Sequence, residues 1–329
     1  MQKLNKPISK QKGLALIVLV FILVIATTAY LVSTLDSASI KKEREIKTTV
    51  ALAQAKATLM GWAIRQNSPG QLPCPEDTTK IGTIDEGVSQ TSCSLVNPVI
   101  GRLPWRTLGY GDLKDGNGDR LWYVISTGFR DPPINTNTNA QLSINGTPNI
   151  VAIIFSVGIP LSTQSRPTPT AISPPDVTQY LDVPNNNPNN TAFLSAPATN
   201  NFNDRIISIT HTELFSLVAR RVLREIKGDS FQGLGNYYAT YAVYPYADTD
   251  ADGVADIASL PPPPIGNPSY QAGVNSLDFS KTNIDELGTM SIKDSFLMNG
   301  WFPLITYKVT TDQQQVTLTL NGDTLQVNP

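Results

Sequence analysis

The stretch Lys12-Gly13-Leu14-Ala15-Leu16-Ile17-Val18-Leu19-Val20-Phe21-Ile22-Leu23-Val24-Ile25-Ala26-Thr27-Thr28-Ala29-Tyr30-Leu31-Val32-Ser33-Thr34-Leu35-Asp36 decides how this 329-residue chain is read. The 22 residues from Leu14 to Leu35 carry no charge. As a helix rising 1.5 Å per residue they extend about 33 Å, enough to cross a hydrocarbon core of about 30 Å. Thr27, Thr28, Ser33 and Thr34 do not forbid a span, because their hydroxyls can bond back to the helix backbone. Lys3, Lys6, Lys10 and Lys12 precede the run and no acid does. That asymmetry predicts a cytoplasmic N-terminus and a single pass, with the rest of the chain outside. Three processing outcomes fit. A signal peptidase would cut near Thr27-Thr28-Ala29, a plain anchor would stay whole, and a cut after Gly13 would remove the lysines and keep the apolar helix.

The residues that follow extend the helix. From Asp36 onward there is no glycine before Gly61 and no proline before Pro69. Ile46, Val50, Ala53, Ala57, Met60 and Ile64 recur at alternating steps of four and three, which predicts one apolar stripe facing the rest of the protein. A mixed-charge collar from Lys41 to Lys47 lies between that stripe and the apolar run. The spacing predicts a single helix from Leu14 to about Ile64, roughly 75 Å long.

Gly13-Leu14-Ala15-Leu16-Ile17-Val18 resembles the prepilin cleavage motif of type IV pilins and type II secretion pseudopilins. The resemblance favours the cut after Gly13. It implies a prepilin peptidase that cleaves there and methylates Leu14, and partner subunits that pack through the same helix. The usual fifth mature residue of that family is Glu, and this chain has Val18. The large tip pseudopilin and some minor pilins share that departure, so the resemblance implies a place at or near a filament tip. It covers about the first 65 residues. The expected fold is therefore α+β and pilin-like: a long N-terminal helix bearing an antiparallel head with large loop insertions and an additional helix. Residues 1–13 would be leader, 14–35 the membrane half, 36–66 the amphipathic half and 67–329 the head. The expected location is the inner membrane, with the head periplasmic or, after assembly, at the cell surface. A membrane-anchored, calcium-dependent binding module outside any filament is the competing expectation.

The formal charge is −2, and loss of the first 13 residues would make it −6, which argues against nucleic-acid partners. The two cysteines, Cys74 and Cys93, are close in sequence and would pair in an oxidising periplasm. With one histidine, His211, and no phosphate loop, dinucleotide fingerprint or zinc motif, catalysis is not expected.

In the head, residues 72–107 read as irregular connection. Asp112, Asp115, Asn117 and Asp119 form a turn cluster ahead of a strand at 121–125, and Asn149–Gly158 reads as a buried central strand. Residues 160–203 read as exposed loop or linker, leaving open one head or two. Thr210-His211-Thr212-Glu213 is a capping box opening a helix that ends at Gly228. Arg220, Arg224 and Lys227 are expected on its solvated face, with Arg221 adjacent. The tyrosines between Tyr237 and Tyr246 are expected in a core strand. Pro261–Pro264 reads as a stiff extended element. Strands are expected at 301–310 and 315–327, the latter turning at Asn321-Gly322.

The strongest ligand-like pattern is Asp248-Thr249-Asp250-Ala251-Asp252-Gly253-Val254-Ala255-Asp256. Carboxylates at the first, third, fifth and ninth positions, the Val254 carbonyl and a turn-permitting Gly253 match the hard-oxygen chemistry of calcium. Position twelve is Ser259 where a complete EF-hand loop has Glu, so the expected affinity is weak, about 0.1–1 mM. The turn cluster at 112–119 is a weaker calcium candidate, since turn chemistry alone explains it.

Overall fold

The computed structural model describes residues 12–93, 99–256, 264–270, 277, 282–285 and 288–329. Residues 1–11, most of the expected leader, together with Pro261–Pro263 and Ser259 lie outside the described residues. So do the side chains of 12–18, 29, 31–37, 282–285 and 288–290.

The chain is α+β. Helix α1 (Lys12–Arg65) runs unbroken for 54 residues, as the lack of helix breakers predicts. Among the described residues no helix is long and apolar enough to cross a membrane, and the expected span Leu14–Leu35 falls partly on undescribed side chains. Strands β1 (Val99–Arg102), β2 (Trp122–Ile125), β3 (Leu142–Ile144) and β4 (Thr147–Ser156), the short helix α2 (Val177–Tyr180), and strands β5 (Ala192–Phe193) and β6 (Arg205–Thr210) follow. They form one curled mixed sheet of order β1-β2-β4-β3-β5, with β6 paired to the other side of β4. Helices α3 (His211–Lys227) and α4 (Gly233–Tyr241) lead to β7 (Ile265–Gly266), the hairpin β8 (Thr282–Asp285) and β9 (Gly288–Ser291), and α5 (Ile292–Asn299). The chain ends in β10 (Thr306–Val309), β11 (Val316–Leu320) and β12 (Asp323–Val327), in a second sheet of order β12-β11-β10-β7.

Strand β4 is central because its apolar run fills both faces of the sheet. Side chains alternate across a strand. Tyr123, Ile125 and Ile154 therefore meet α1 and α3, while Trp122, Val124, Ile153 and Phe155 enter a second cluster. Val177, Tyr180, Leu181 and Phe193 close that second face. Residues 160–203, expected as loop or linker, thus supply the cover that four large buried side chains of the sheet require. Their chain is irregular, yet its apolar residues are anchored.

Four other expectations are corrected. Of the expected stripe, Ile46, Val50, Ala53 and Ala57 lie on the exposed face of α1, with Ile46 and Val50 55% and 47% exposed, while Met60 and Ile64 are partly buried and Met60 packs against the core. The head is met by Ala51, Leu52, Ala55, Leu59, Trp62 and Ala63, on the opposite side. Both stripes have helical spacing, and the one with the bulkier Leu52, Leu59 and Trp62 removes more apolar area from water. The tyrosine segment is helix α4 in place of a strand; Tyr237 is buried, and Tyr244 is buried just beyond it. Residues 72–107, read as irregular, contain β1, whose Gly101 and Arg102 pair with Tyr123 and Trp122. The strand expected from Trp301 begins at Thr306, because Phe302–Leu304 is a helical turn anchored by the buried Trp301 and Phe302.

The capping box at Thr210 and Glu213 forms, and Leu214, Val218, Val222 and Ile226 are buried along α3. Asn321 and Gly322 take φ of 52° and 83°, the left-handed pair that a two-residue hairpin demands.

Candidate functional site

The acidic loop is held at its base before any ligand is considered. Asp248 N–H donates to the Asn267 carbonyl at 3.0 Å and its carbonyl accepts from Asn267 N–H at 2.5 Å. Asp256 N–H donates to the Ala247 carbonyl at 3.0 Å. These bonds bring the two ends of the nine-residue pattern together. Between them, Ala251 and Gly253 adopt φ of 61° and 93°, which reverses the chain. Asp248 is fully buried; one carboxylate oxygen accepts from Gly253 N–H at 2.7 Å, while the other, Oδ1, has no hydrogen-bond partner. Asp256 accepts from Thr249 N–H at 2.7 Å and from the Thr249 hydroxyl.

Asp248, Asp250 and Asp256 each place a carboxylate oxygen within 4.8 Å of the other two. Asp252, expected in the same set, lies outside this group and accepts from Val254 N–H at 2.8 Å as a local turn; Val254, expected to contribute a backbone carbonyl, is not among these carboxylates. Burial pushes the Asp248 carboxyl above its ordinary pKa, with Asp252 and Asp250 adding repulsion. The Thr249 hydroxyl and N–H hold Asp256 below the usual range. Three converging carboxylates offer only hard oxygen donors, so the chemistry suits a hard divalent cation without distinguishing calcium from its neighbours.

The second acidic turn is a structural knot. Asp115 is fully buried; it accepts from the N–H groups of Asn117 and Asp119 at 2.8 and 3.1 Å and from the Ser156 hydroxyl at 2.8 Å. Arg120 reaches Glu86 at 2.5 Å, Asp112 at 3.0 Å and Glu76 at 3.3 Å, and Arg166 pairs with Asp119 at 2.8 Å. These acids are already answered by arginines. Gly116 lies so close to α1 that a side chain there would strike the Arg44 carbonyl. This is how the turn docks on the helix.

Cys74 and Cys93 form a disulfide whose ring encloses the segment before β1. The Arg130 guanidinium donates to the Cys93 carbonyl at 2.5 Å. His211 packs on Phe215 and Phe129, and burial lowers its pKa.

Two structural roles escaped the sequence. Arg221, expected beside a solvated face, is only 15% exposed and donates to the carbonyls of Ile64 and Gln66, capping the C-terminus of α1. Asp182 and Asp204 clamp the two ends of one excursion. Asp204 accepts from Asp182 N–H at 2.9 Å and from the Asn185 amide at 3.0 Å; Asp182 accepts from Asn203 N–H at 2.5 Å and Asp204 N–H at 3.1 Å. No local pattern announces either role, since the partners lie about 20 or more than 150 residues apart.

Leu14 and Gly13 lie in the first turn of α1. From Leu19 to Lys47 every described side chain of α1 is exposed, and Leu19–Ile25 are each more than half exposed. No protein-family model, no curated protein and no solved structure matches this chain.

Proposed function

We propose that this chain is a minor subunit of a type IV pilus or a type II secretion pseudopilus, acting in assembly at or near the tip and not in catalysis. In this reading the Leu14–Leu35 segment inserts in the inner membrane with its N-terminus cytoplasmic. A prepilin peptidase cuts after Gly13, and the new N-terminus at Leu14 is methylated. The observation that carries the reading is the form of α1. It is about 80 Å long at 1.5 Å per residue, and it buries side chains against the head only from Thr48 onward. Its free part displays Leu19–Ile25, a continuous apolar surface that only lipid or other apolar helices can cover at low cost. Val18, where the related motif has Glu, supports a place at the head of a filament.

Calcium at Asp248, Asp250 and Asp256 is proposed as a stabiliser of the head. The same three carboxylates favour the second reading, an anchored calcium-dependent binding module that joins no filament.

Mass spectrometry of the mature N-terminus tests the proposal. A methylated Leu14 is expected. A mature chain starting at Tyr30, or an intact Met1, refutes it.

A further inference from the structure

Among the described residues strand β6 pairs only with β4, so its outer side is an open edge whose backbone groups can be named. Ser126 N–H donates to the Val151 carbonyl at 2.8 Å, so Val151, Ile153 and Phe155 turn their backbone groups toward β2. In an antiparallel ladder the bonding side alternates. Ala152, Ile154 and Ser156 therefore bond toward β6, opposite Ile209, Ile207 and Arg205. That leaves the N–H and C=O groups of Ile206 and Ser208 pointing outward. Thr210, the next outward residue, gives its N–H to Glu213 at 2.9 Å. Among the described residues, the outward groups of Ile206 and Ser208 have no backbone partner. Folded proteins usually blunt such edges with charged side chains, proline or a bulge. Here Arg205 at the start is the one charge, Ile206–Ser208 have neither charge nor proline, and the register shift lies at the far end, between Ile150 and Ala152.

Helix α1 runs beside this edge and in the same direction. Arg205 donates to the Thr49 hydroxyl at 3.3 Å and Lys56 pairs with Glu213 at 2.7 Å, which fixes both ends. The apolar face that the head leaves uncovered, Ile46, Val50 and Ala53, is on this exposed side of α1. A recess of about 290 Å³ between Ile46, Val50 and Arg205 opens at the start of β6, and a second of about 460 Å³ lies on the other side of Arg205. Lys41, Lys42, Arg44 and Arg205 line the two recesses against the single acid Glu45.

We infer that the outer edge of β6 and the adjoining face of α1 dock an extended, acid-bearing segment of another protein chain, which adds to the sheet as a new edge strand. Its backbone satisfies Ile206 and Ser208, its alternate apolar side chains cover Val50 and Ala53, and a terminal carboxylate meets the Arg205 cluster. A second copy of this chain fits less well, because its own edge, Arg-Ile-Ile-Ser-Ile-Thr, brings another arginine and no acid.

The test uses the full chain in detergent micelles. The probe is a synthetic octapeptide of alternating valine and threonine with glutamate at both ends, compared with a lysine-ended counterpart. The glutamate peptide is expected to bind saturably, about tenfold more tightly than the lysine peptide. It should also slow hydrogen exchange at the Ile206 and Ser208 amides. Ser208→Pro, which removes one outward N–H and leaves the β4 bonds intact, and Val50→Glu on the exposed helix face should each weaken binding by about tenfold or more. No saturable binding up to about 1 mM, undiminished binding to a folded Ser208→Pro, or dimerisation through β6 that this variant abolishes would each overturn the inference. Should Ser208→Pro fail to fold, Val50→Glu and the two amides decide. None of these readouts depends on how the N-terminus is processed.

Discussion

Replacing Asp204 by asparagine tests how the 160–203 excursion is held on the sheet. Asp204 is almost fully buried, and one of its carboxylate oxygens, Oδ1, has no partner. Burial, with the neighbouring Asp182 charge, raises its pKa from 3.8 to about 7. The native state therefore holds a proton on Asp204 that the unfolded chain has already released between about pH 4 and 7. Because the unfolded state binds fewer protons across that window, stability falls as pH rises through it and levels off above about 7. A shift of about three units corresponds to about 4 kcal/mol between the two plateaus. Asp204→Asn keeps an acceptor for the Asp182 N–H and the Asn185 amide and removes the charge. Its stability curve should be flatter than the wild-type curve by most of that amount. Urea unfolding of the full chain in micelles at pH 4.5, 6 and 8 measures this. Glu76, Asp119 and Asp248 also have raised pKa values and slope the same way. The difference between the two proteins isolates Asp204. Parallel curves for wild type and Asp204→Asn would refute the reasoning.

Three further outcomes follow from named contacts. Arg221→Met should cost about 2–3 kcal/mol in denaturant unfolding, since it leaves the Ile64 and Gln66 carbonyls without their charged donor. Calcium at about 10 mM should stabilise the chain by about 1.4 kcal/mol if the dissociation constant is about 1 mM, and Asp248→Asn should abolish that gain; an equal gain in the variant removes the site. Changing both Cys74 and Cys93 to alanine reopens a loop with a sequence separation of 19 and should cost about 3 kcal/mol by chemical denaturation.

The local signals in the chain were sound where a single element decides. The absence of Gly before Gly61 and of Pro before Pro69 let α1 run unbroken to Arg65, and Thr210 with Glu213 set the start of α3, because helix continuity and capping are settled within a few residues. The turn at Asn321-Gly322 was legible for the same reason. The acidic pattern at 248–256 was visible too, but only the Asn267 bridge and the left-handed Ala251 decide that Asp248, Asp250 and Asp256 converge while Asp252 bonds locally.

Where the elements run and which segments are apolar can be read along the chain. Which apolar face meets what is settled only by long-range packing. Two stripes on α1 share one period, and the sheet took the one bearing Leu52, Leu59 and Trp62, leaving Ile46 and Val50 outside. Residues 160–203 look like a linker by composition, yet Tyr180 and Phe193 were drawn onto the second face of β4. Burial depends on the partner surface that many distant residues build together, and periodicity within one segment carries no record of that partner.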